Sequence, residues 1–379
     1  MSRERLILAV ESSCDESAVA LVRESGEVLA ERIASQSDLH AATGGVIPEV
    51  AAREHHRWVP KLIGEVMTEA ATLGVANEID AVAVTTGPGL IGSLLVGAGV
   101  ASAWAWGRGL PVVPTNHLEG HFRAAWLRSA GGSAASVPTL PAIGLIVSGG
   151  HTLLVRVDAD GRTERLGGTI DDAAGEAFDK IARLLGLPYP GGAALSALAA
   201  GAARGGELPG GLRRLPVAQT DGEYDLSFSG VKTAAARMAL AAIGEPAASP
   251  GRAAALAATL REHPVPAAAA AAIAAAAQDA IIAALVSRVD RALAATPGAS
   301  LVVGGGVAAN VPLREALGTL AARHGRTLNV PPVRWCTDNA AMIGAAAHAA
   351  LREGRAELQD PARGVSVAAS WQFGAGAPA

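Results

Sequence analysis

The feature that most restricts the folds open to this chain is an internal repeat of strand grammar. Leu6-Ile-Leu-Ala-Val10 is an apolar run suited to a buried strand. A polar turn over Glu11-Ser-Ser-Cys-Asp-Glu16 follows, then Ala18-Val-Ala-Leu-Val22, a turn at Glu24-Ser-Gly-Glu27, and a third strand from Val28. The same order returns with Ala142-Ile-Gly-Leu-Ile-Val147, Ser148-Gly-Gly-His-Thr152, Leu153-Leu-Val-Arg-Val157 and a turn at Asp158-Ala-Asp-Gly161. Glycine and aspartate are the residues hairpin turns of this kind require. Each triplet is followed downstream by a strand, a glycine-rich turn and a helix. These are Ala81-Val-Ala-Val84 with Thr86-Gly-Pro-Gly89 and a helix containing Leu94, and Ser300-Leu-Val-Val303 with Gly304-Gly-Gly306 and a helix from about Val311. Glycine-rich turns of this sort occur in α/β proteins generally. Two copies of the whole unit predict two related α/β domains facing one another, their turns offering backbone N–H groups to a nucleotide phosphate chain.

Composition narrows the function classes. Aromatics make up only 3% of the chain, so an aromatic stacking platform for single-stranded RNA is excluded. The net charge of −4 supplies no global basic field, so any nucleic-acid contact must use a local patch or a partner. The densest basic cluster is Arg53, His55, His56, Arg57 and Lys61, read as a nucleic-acid or partner surface or as the solvated face of a helix. Two cysteines, Cys14 and Cys336, are too few for a disulfide framework, and Met1–Leu6 lacks the apolar core of a signal peptide. The apolar stretches Leu90–Trp106 and Val265–Val286 are interrupted by Gly and Ser or dominated by Ala, and read as buried helices rather than membrane spans. A cytoplasmic protein is expected. The Ala/Pro/Gly-rich stretch from Leu240 to Ile273 reads as an inserted surface loop with some helix, Gly131–Ser136 as a smaller loop, and the tail Phe373–Ala379 as disordered.

His117-Leu-Glu-Gly-His121 places two imidazoles at i and i+4, on one face of a helical turn, where both can reach one ion. The order is not the His-Glu-x-x-His of zinc proteases, which disfavours that chemistry. A third ligand is expected to be a carboxylate remote in sequence. Asp338, in Arg334-Trp-Cys-Thr-Asp-Asn-Ala-Ala-Met342, is the candidate; its ordinary role there is to cap the following helix, and Cys336 is a rival ligand. Two histidines and one carboxylate leave coordination positions open, which suits a catalytic or substrate-orienting zinc or iron.

Eight blocks in order along nearly the whole chain resemble the bacterial TsaD (Gcp/YgjD) family. They are Val10–Glu16, Gly44–His56, Thr86–Ser93, Asn116–His121, Val147–Thr152, Asp171–Lys180, Asp225–Gly230 and Cys336–Asn339. The resemblance implies the actin-like ATPase (ASKHA) fold: two duplicated RNase H-like domains around a nucleotide cleft. The N-terminal lobe would span 1–135 plus 345–379, and the C-terminal lobe 136–344 with an insertion at about 244–266. It further implies transfer of the threonylcarbamoyl group from threonylcarbamoyl-AMP to N6 of adenosine 37 in tRNAs reading ANN codons, releasing AMP. By position, His117, His121 and Asp338 would hold one iron or zinc ion. Ile146, Val147, Ser148, Gly149, Gly150, Asp179, Gly192 and Asn310 would contact the adenylate and threonyl parts. Ser196 stands where many relatives have aspartate. Glu11, Ser13 and Asp15 fall where the fold bends round the phosphates and, with Glu16, bind metal or water or cap the turn; His151 lines the cleft or ends a strand. The implied partners are tRNA, a TsaB-like paralogue, a TsaE-like ATPase and a TsaC/Sua-type synthase that supplies the intermediate; no membrane is implied.

Two other function classes compete. A sugar- or acetate-kinase-like phosphotransferase of the same fold would need a base facing the γ-phosphate and no histidine pair. A non-enzymatic scaffold paralogue would lack His117, His121 and Asp338.

Overall fold

The computed structural model describes residues 3–41, 45–132, 137–202, 214–218, 220–245 and 253–377. In the first half, β1 (Leu6–Glu11), β2 (Glu16–Arg23) and β3 (Glu27–Ser35) lead through α1 (Ser37–Ala41) and α2 (Pro48–Thr72) to β4 (Ile79–Gly87). Then come α3 (Ile91–Trp106), β5 (Val112–Asn116), the short α4 (His117–Arg123) and β6 (Arg128–Ser129). The second half runs β7 (Ala142–Val147), β8 (Thr152–Val157) and β9 (Thr163–Gly168), then five helices: α5 (Ala174–Leu184), α6 (Gly191–Ala200), α7 (Ser229–Ala242), α8 (Ala253–Glu262) and α9 (Ala267–Ala295). It closes with β10 (Ser300–Gly304), α10 (Val311–Arg323), β11 (Leu328–Asn329) and α11 (Ala340–Arg352).

The two sheets repeat one topology. The first is ordered β5-β4-β1-β2-β3-β6 and the second β11-β10-β7-β8-β9. In each, the first strand pairs antiparallel with the second and parallel with the fourth. Strands with parallel partners need crossover helices, and helices on both faces demand apolar residues at every position. β1 shows how the sequence meets that demand. Leu6, Leu8 and Val10 face a core completed by α2 and α3, while Ile7 and Ala9 face a second core completed by α11. β7 divides in the same way: Ile143, Leu145 and Val147 enter the core under α5, α7 and α9, and Ala142 and Ile146 enter the core under α4.

Helix α9 is long and apolar enough to cross a membrane by length and composition, the one such helix among the described residues, yet 61% of its most apolar stretch is buried in the fold. Ile273, Ile281 and Leu285, at 0% exposure, identify it as a core helix. The expected insertion at 244–266 contains α8 and is irregular at 244–245 and 263–266; residues 246–252 lie outside the described residues, as do 133–136 of the expected small loop and Gly44.

The expected disorder of the tail is corrected for residues 373–377. Phe373 packs edge-on against Phe122, with ring centroids 5.8 Å apart, and the Gly374 N–H donates to Glu119. One buried aromatic contact and one backbone hydrogen bond were hidden inside a segment whose composition reads as unstructured.

Helix α4 is wedged between the halves. Leu118 and Phe122 pack on the second sheet, and Gly120 meets α11 so closely that a Cβ there would lie 2.9 Å from Ile343 and 3.0 Å from Met342. The two imidazoles of α4 are thereby held at the junction of the two repeats.

Candidate active site

Both histidines are buried, and Asp338 reaches them from the segment before α11. His121 Nε2 lies 3.1 Å and His117 Nε2 3.7 Å from Asp338 Oδ1, and one ligand atom from each of the three falls within 4.8 Å of the others. The rings stand edge to face, 4.7 Å between centroids. Asp338 is not the helix cap that the sequence left open. Asn339 takes that role, its Oδ1 accepting from the Met342 N–H at 2.9 Å, which leaves the Asp338 carboxylate free to face the histidines. Cys336 is buried away from them and receives Arg314 Nη2 at 3.0 Å.

The residues fit a bound cation on their own geometry. His121 is 0% exposed, and neither ring nitrogen has a hydrogen-bond partner among the described residues; its approach to Asp338 is close but not aligned as a hydrogen bond. Buried polar atoms are normally satisfied, so an Nε2 left unpaired beside Asp338 is placed as a cation ligand would be. His117 is oriented for the same purpose. Its Nδ1 lies 3.1 Å from Glu11 Oε2 and 3.1 Å from Ser13 Oγ. A carboxylate only accepts, so Nδ1 carries a proton and Nε2 is the nitrogen turned toward Asp338, where a proton and a cation compete for it. A carboxylate behind a ligating imidazole is the usual supporting arrangement of metal sites. Glu11 is itself fixed, accepting from the Ser13 N–H and from Thr85 Oγ1.

Electrostatics point the same way. Burial alone would lower His117, but Asp338 and Glu11 raise it to about 9. Burial, then Asp338 and Asp15, raise Glu16 to about 9. An anionic corner that recruits protons is one that a divalent cation would neutralise. His151, also facing this corner, is lowered to about 4 by burial and by His117 and His121.

From the histidine corner a cleft of about 1970 Å³ runs between the halves. Seven carboxylates line it among the described residues, Asp15, Glu16 and Asp338 included, against one lysine or arginine, Arg214. A phosphate held here therefore depends on backbone donors or a bound ion. Gly149 and Gly150 present exposed backbone at the turn after β7, braced by Ser148 and His151: the Ser148 N–H donates to the His151 carbonyl at 2.8 Å, and the His151 N–H to Ser148 Oγ at 3.2 Å. Ile146 and Val147 lie on β7 with 0% exposure and their side chains in the cores, and neither lines the cleft. Ser13 and Asp15 line the cleft, whereas Glu11 sits behind the histidines and does not.

At the far end, Asp179 accepts the Gly191 N–H at 2.8 Å, tying α5 to the start of α6, where Gly192 lines the cleft. Its carboxyl is raised by burial against the backbone donors of Gly191 and Gly192. Lys180 pairs with Asp172 and Glu176 and not with Asp179, while the Arg183 charge acts on Asp179 and opposes the effect of burial. Asn310 is committed at both ends: its Oδ1 accepts from the Leu313 N–H, capping α10, and its Nδ2 donates to Gln278 Oε1 at 2.9 Å and to Ser196 Oγ at 3.4 Å.

Gln278 was missed by sequence reasoning. A 6% exposed amide in an alanine-rich helix, with its oxygen turned to Asn310, is a signal that the alanines around it partly obscured. His55, placed in the basic cluster from sequence, is buried and bonds to Ser17 Oγ at 2.7 Å and to the Cys14 carbonyl at 2.9 Å. Arg53, His56, Arg57 and Lys61 remain exposed on α2.

Comparison with known proteins gives a consistent picture. The sequence model described as "TsaD: tRNA N6-adenosine threonylcarbamoyltransferase" matches residues 27–345. The chain is 44% identical over 378 residues to the tRNA N6-adenosine threonylcarbamoyltransferase of Bordetella petrii, covering 99% of this chain and 100% of that one. It is 45% identical to the enzyme of that name from Paracidovorax citrulli, covering 94% of each. Among solved structures, HypF of T. kodakarensis superposes with a TM-score of 0.54 at 14% identity, covering 92% of this chain and 48% of that one, a likeness of fold.

Proposed function

Because this chain belongs to the TsaD family of tRNA N6-adenosine threonylcarbamoyltransferases, we propose that its metal corner and its cleft are the two halves of one active site for that transfer. The enzyme has the actin-like ATPase architecture and transfers the threonylcarbamoyl group from threonylcarbamoyl-AMP to N6 of adenosine 37 in tRNAs reading ANN codons, releasing AMP. In the step itself, N6 bonds to the carbamoyl carbon, the bond from that carbon to the AMP phosphate oxygen breaks, and N6 gives up a proton.

His117, His121 and Asp338 would hold the divalent ion, iron or zinc. Such an ion supplies a Lewis acid for the carbamoyl oxygen or the threonyl carboxylate. The chain's own residues do the rest. Glu11 and Ser13 fix the His117 ring. The N–H groups of Gly149 and Gly150 receive the phosphate without a basic side chain. Asp179, Gly192 and the Asn310–Gln278–Ser196 network surround the nucleoside. The lobes 1–135 with 345–379, and 136–344, would then be the two jaws of the site.

The observation that carries the reading is the meeting of the unpaired Nε2 of His121, the Nε2 of His117 and the Asp338 carboxylate at one point beside the cleft. The acidic cleft and the net charge of −4 support docking of tRNA with help from partners, a TsaB-like paralogue and a TsaE-like ATPase, with a TsaC-type synthase supplying the intermediate. Arg53, Arg57 and Lys61 on α2 are this chain's own candidates for the contact. Cytoplasm is the compartment that goes with a tRNA substrate.

The test uses labelled threonine, bicarbonate, ATP, the synthase, the partner proteins and tRNA. Label should reach tRNA with the wild-type chain and fall by at least about 100-fold with His121→Ala, consistent with the loss of a metal ligand or its support. Undiminished transfer by His121→Ala would refute the assignment.

A further inference from the structure

Helix α4 carries both imidazoles but has only seven residues, too few to keep a helix in register by itself. What holds it comes largely from the other end of the chain. Asn116 caps the helix, its Oδ1 accepting from the Leu118 and Glu119 N–H groups, while its Nδ2 donates to the Gln372 carbonyl at 3.2 Å and lies 3.5 Å from that of Trp371. Glu119, 5% exposed, accepts from the Gly374 N–H at 3.1 Å and from Arg355, whose Nη1 lies 2.9 Å from Oε2. Phe373 packs on Phe122. Residues 116, 119 and 122 form one face of α4, and the ligands 117 and 121 project from another.

The gripping segment is anchored in turn. The Ala368 N–H donates to the Thr86 carbonyl at 2.8 Å, and the Ala369 carbonyl accepts from the Gly89 N–H at 3.1 Å, fastening it to the glycine turn at the cleft wall. Gly374, at φ 76°, sits where a Cβ would lie 1.5 Å from Thr163 Oγ1 on β9, so the segment also fits against the second lobe with no space to spare. Residues 368–374 form no helix or strand of their own; their place is set by these contacts.

We propose that the C-terminal segment Ala368–Gly374 is a clasp that holds the metal helix in register, with Asn116 and Glu119 as the positioning residues through which it acts. The clasp rests on the metal reading above. It places two residues and a backbone segment in the service of a histidine–aspartate cluster to which none of them contributes a ligand.

The experiment measures Zn2+ affinity by chelator competition, together with folding by circular dichroism. It uses the intact chain, a chain ending at Ser370, and the full-length variants Glu119→Ala and Glu119→Gln. The intact chain should bind one Zn2+. The shortened chain and Glu119→Ala should stay folded and bind about 10- to 100-fold more weakly, the loss typical when the support of a ligand is removed. Glu119→Gln, which keeps an acceptor oxygen for the Gly374 N–H and gives up the charge facing Arg355, should bind clearly more tightly than Glu119→Ala.

Wild-type affinity in a folded Glu119→Ala and a folded shortened chain overturns the clasp. Equal losses for Glu119→Gln and Glu119→Ala overturn the positioning role of Glu119. If the shortened chain unfolds, the two point variants decide. Absence of Zn2+ binding by the intact chain overturns the metal reading instead.

Discussion

His117 concentrates the chemistry of this protein in one ring. Its Nδ1 is held by Glu11, and its Nε2 looks toward Asp338. The two carboxylates that orient it also raise its proton affinity to about 9, against the pull of burial, so in the metal-free chain a proton occupies the place of the ion. Metal must displace that proton. The sign follows: as pH rises toward about 9 the competing proton is lost and apparent metal affinity grows, by about tenfold per pH unit from this group alone. Titration calorimetry with Zn2+ in buffers of different ionisation enthalpy should show proton release near neutral pH that fades above about pH 9. A flat proton count would contradict the ring's protonated state. The histidine pair was legible in the sequence because i, i+4 spacing is a geometric statement. Asp338 was named as the third member by its place in the family pattern, whereas residue type alone left a capping role open, since Asp338 and Asn339 are both good caps and only the fold shows which one turns to the helix.

At the scale of elements, α4 is a short helix built by its surroundings. Phe122 is 1% exposed against the second sheet, and Gly120 admits α11 to a distance no side chain allows. Gly120→Ala should cost about 1–3 kcal/mol by overpacking against Ile343 and Met342, read as a lower midpoint in urea unfolding. No change in midpoint would mean the two helices have room to part. The strands of both sheets were legible because a strand covered on both faces must be apolar throughout, as β1 and β7 are. Helix α9 was legible as buried, but not the function of Gln278 within it, because alanine on every side leaves no periodic face to mark where the cleft runs. The tail was misread for a related reason: Phe373 is one apolar residue among small ones, and its partner lies some 250 positions away in sequence, at Phe122.

The whole molecule is a duplicated α/β unit closed round an acidic cleft, and its function depends on bringing together parts remote in the chain. Glu11 from the first strand, the imidazoles of α4, the Gly149-Gly150 turn of the second repeat, and Asp338 before the last helix meet within one corner. The repeat predicted that two lobes would face each other; only the packing of α4 against both sheets and α11 shows that their seam coincides with the cluster of His117, His121 and Asp338. Anomalous diffraction from crystals loaded with zinc or iron tests this convergence most directly. The account predicts one strong peak about 2.0–2.2 Å from His117 Nε2, His121 Nε2 and an Asp338 oxygen. A peak at Cys336, or none within reach of both imidazoles, would contradict it.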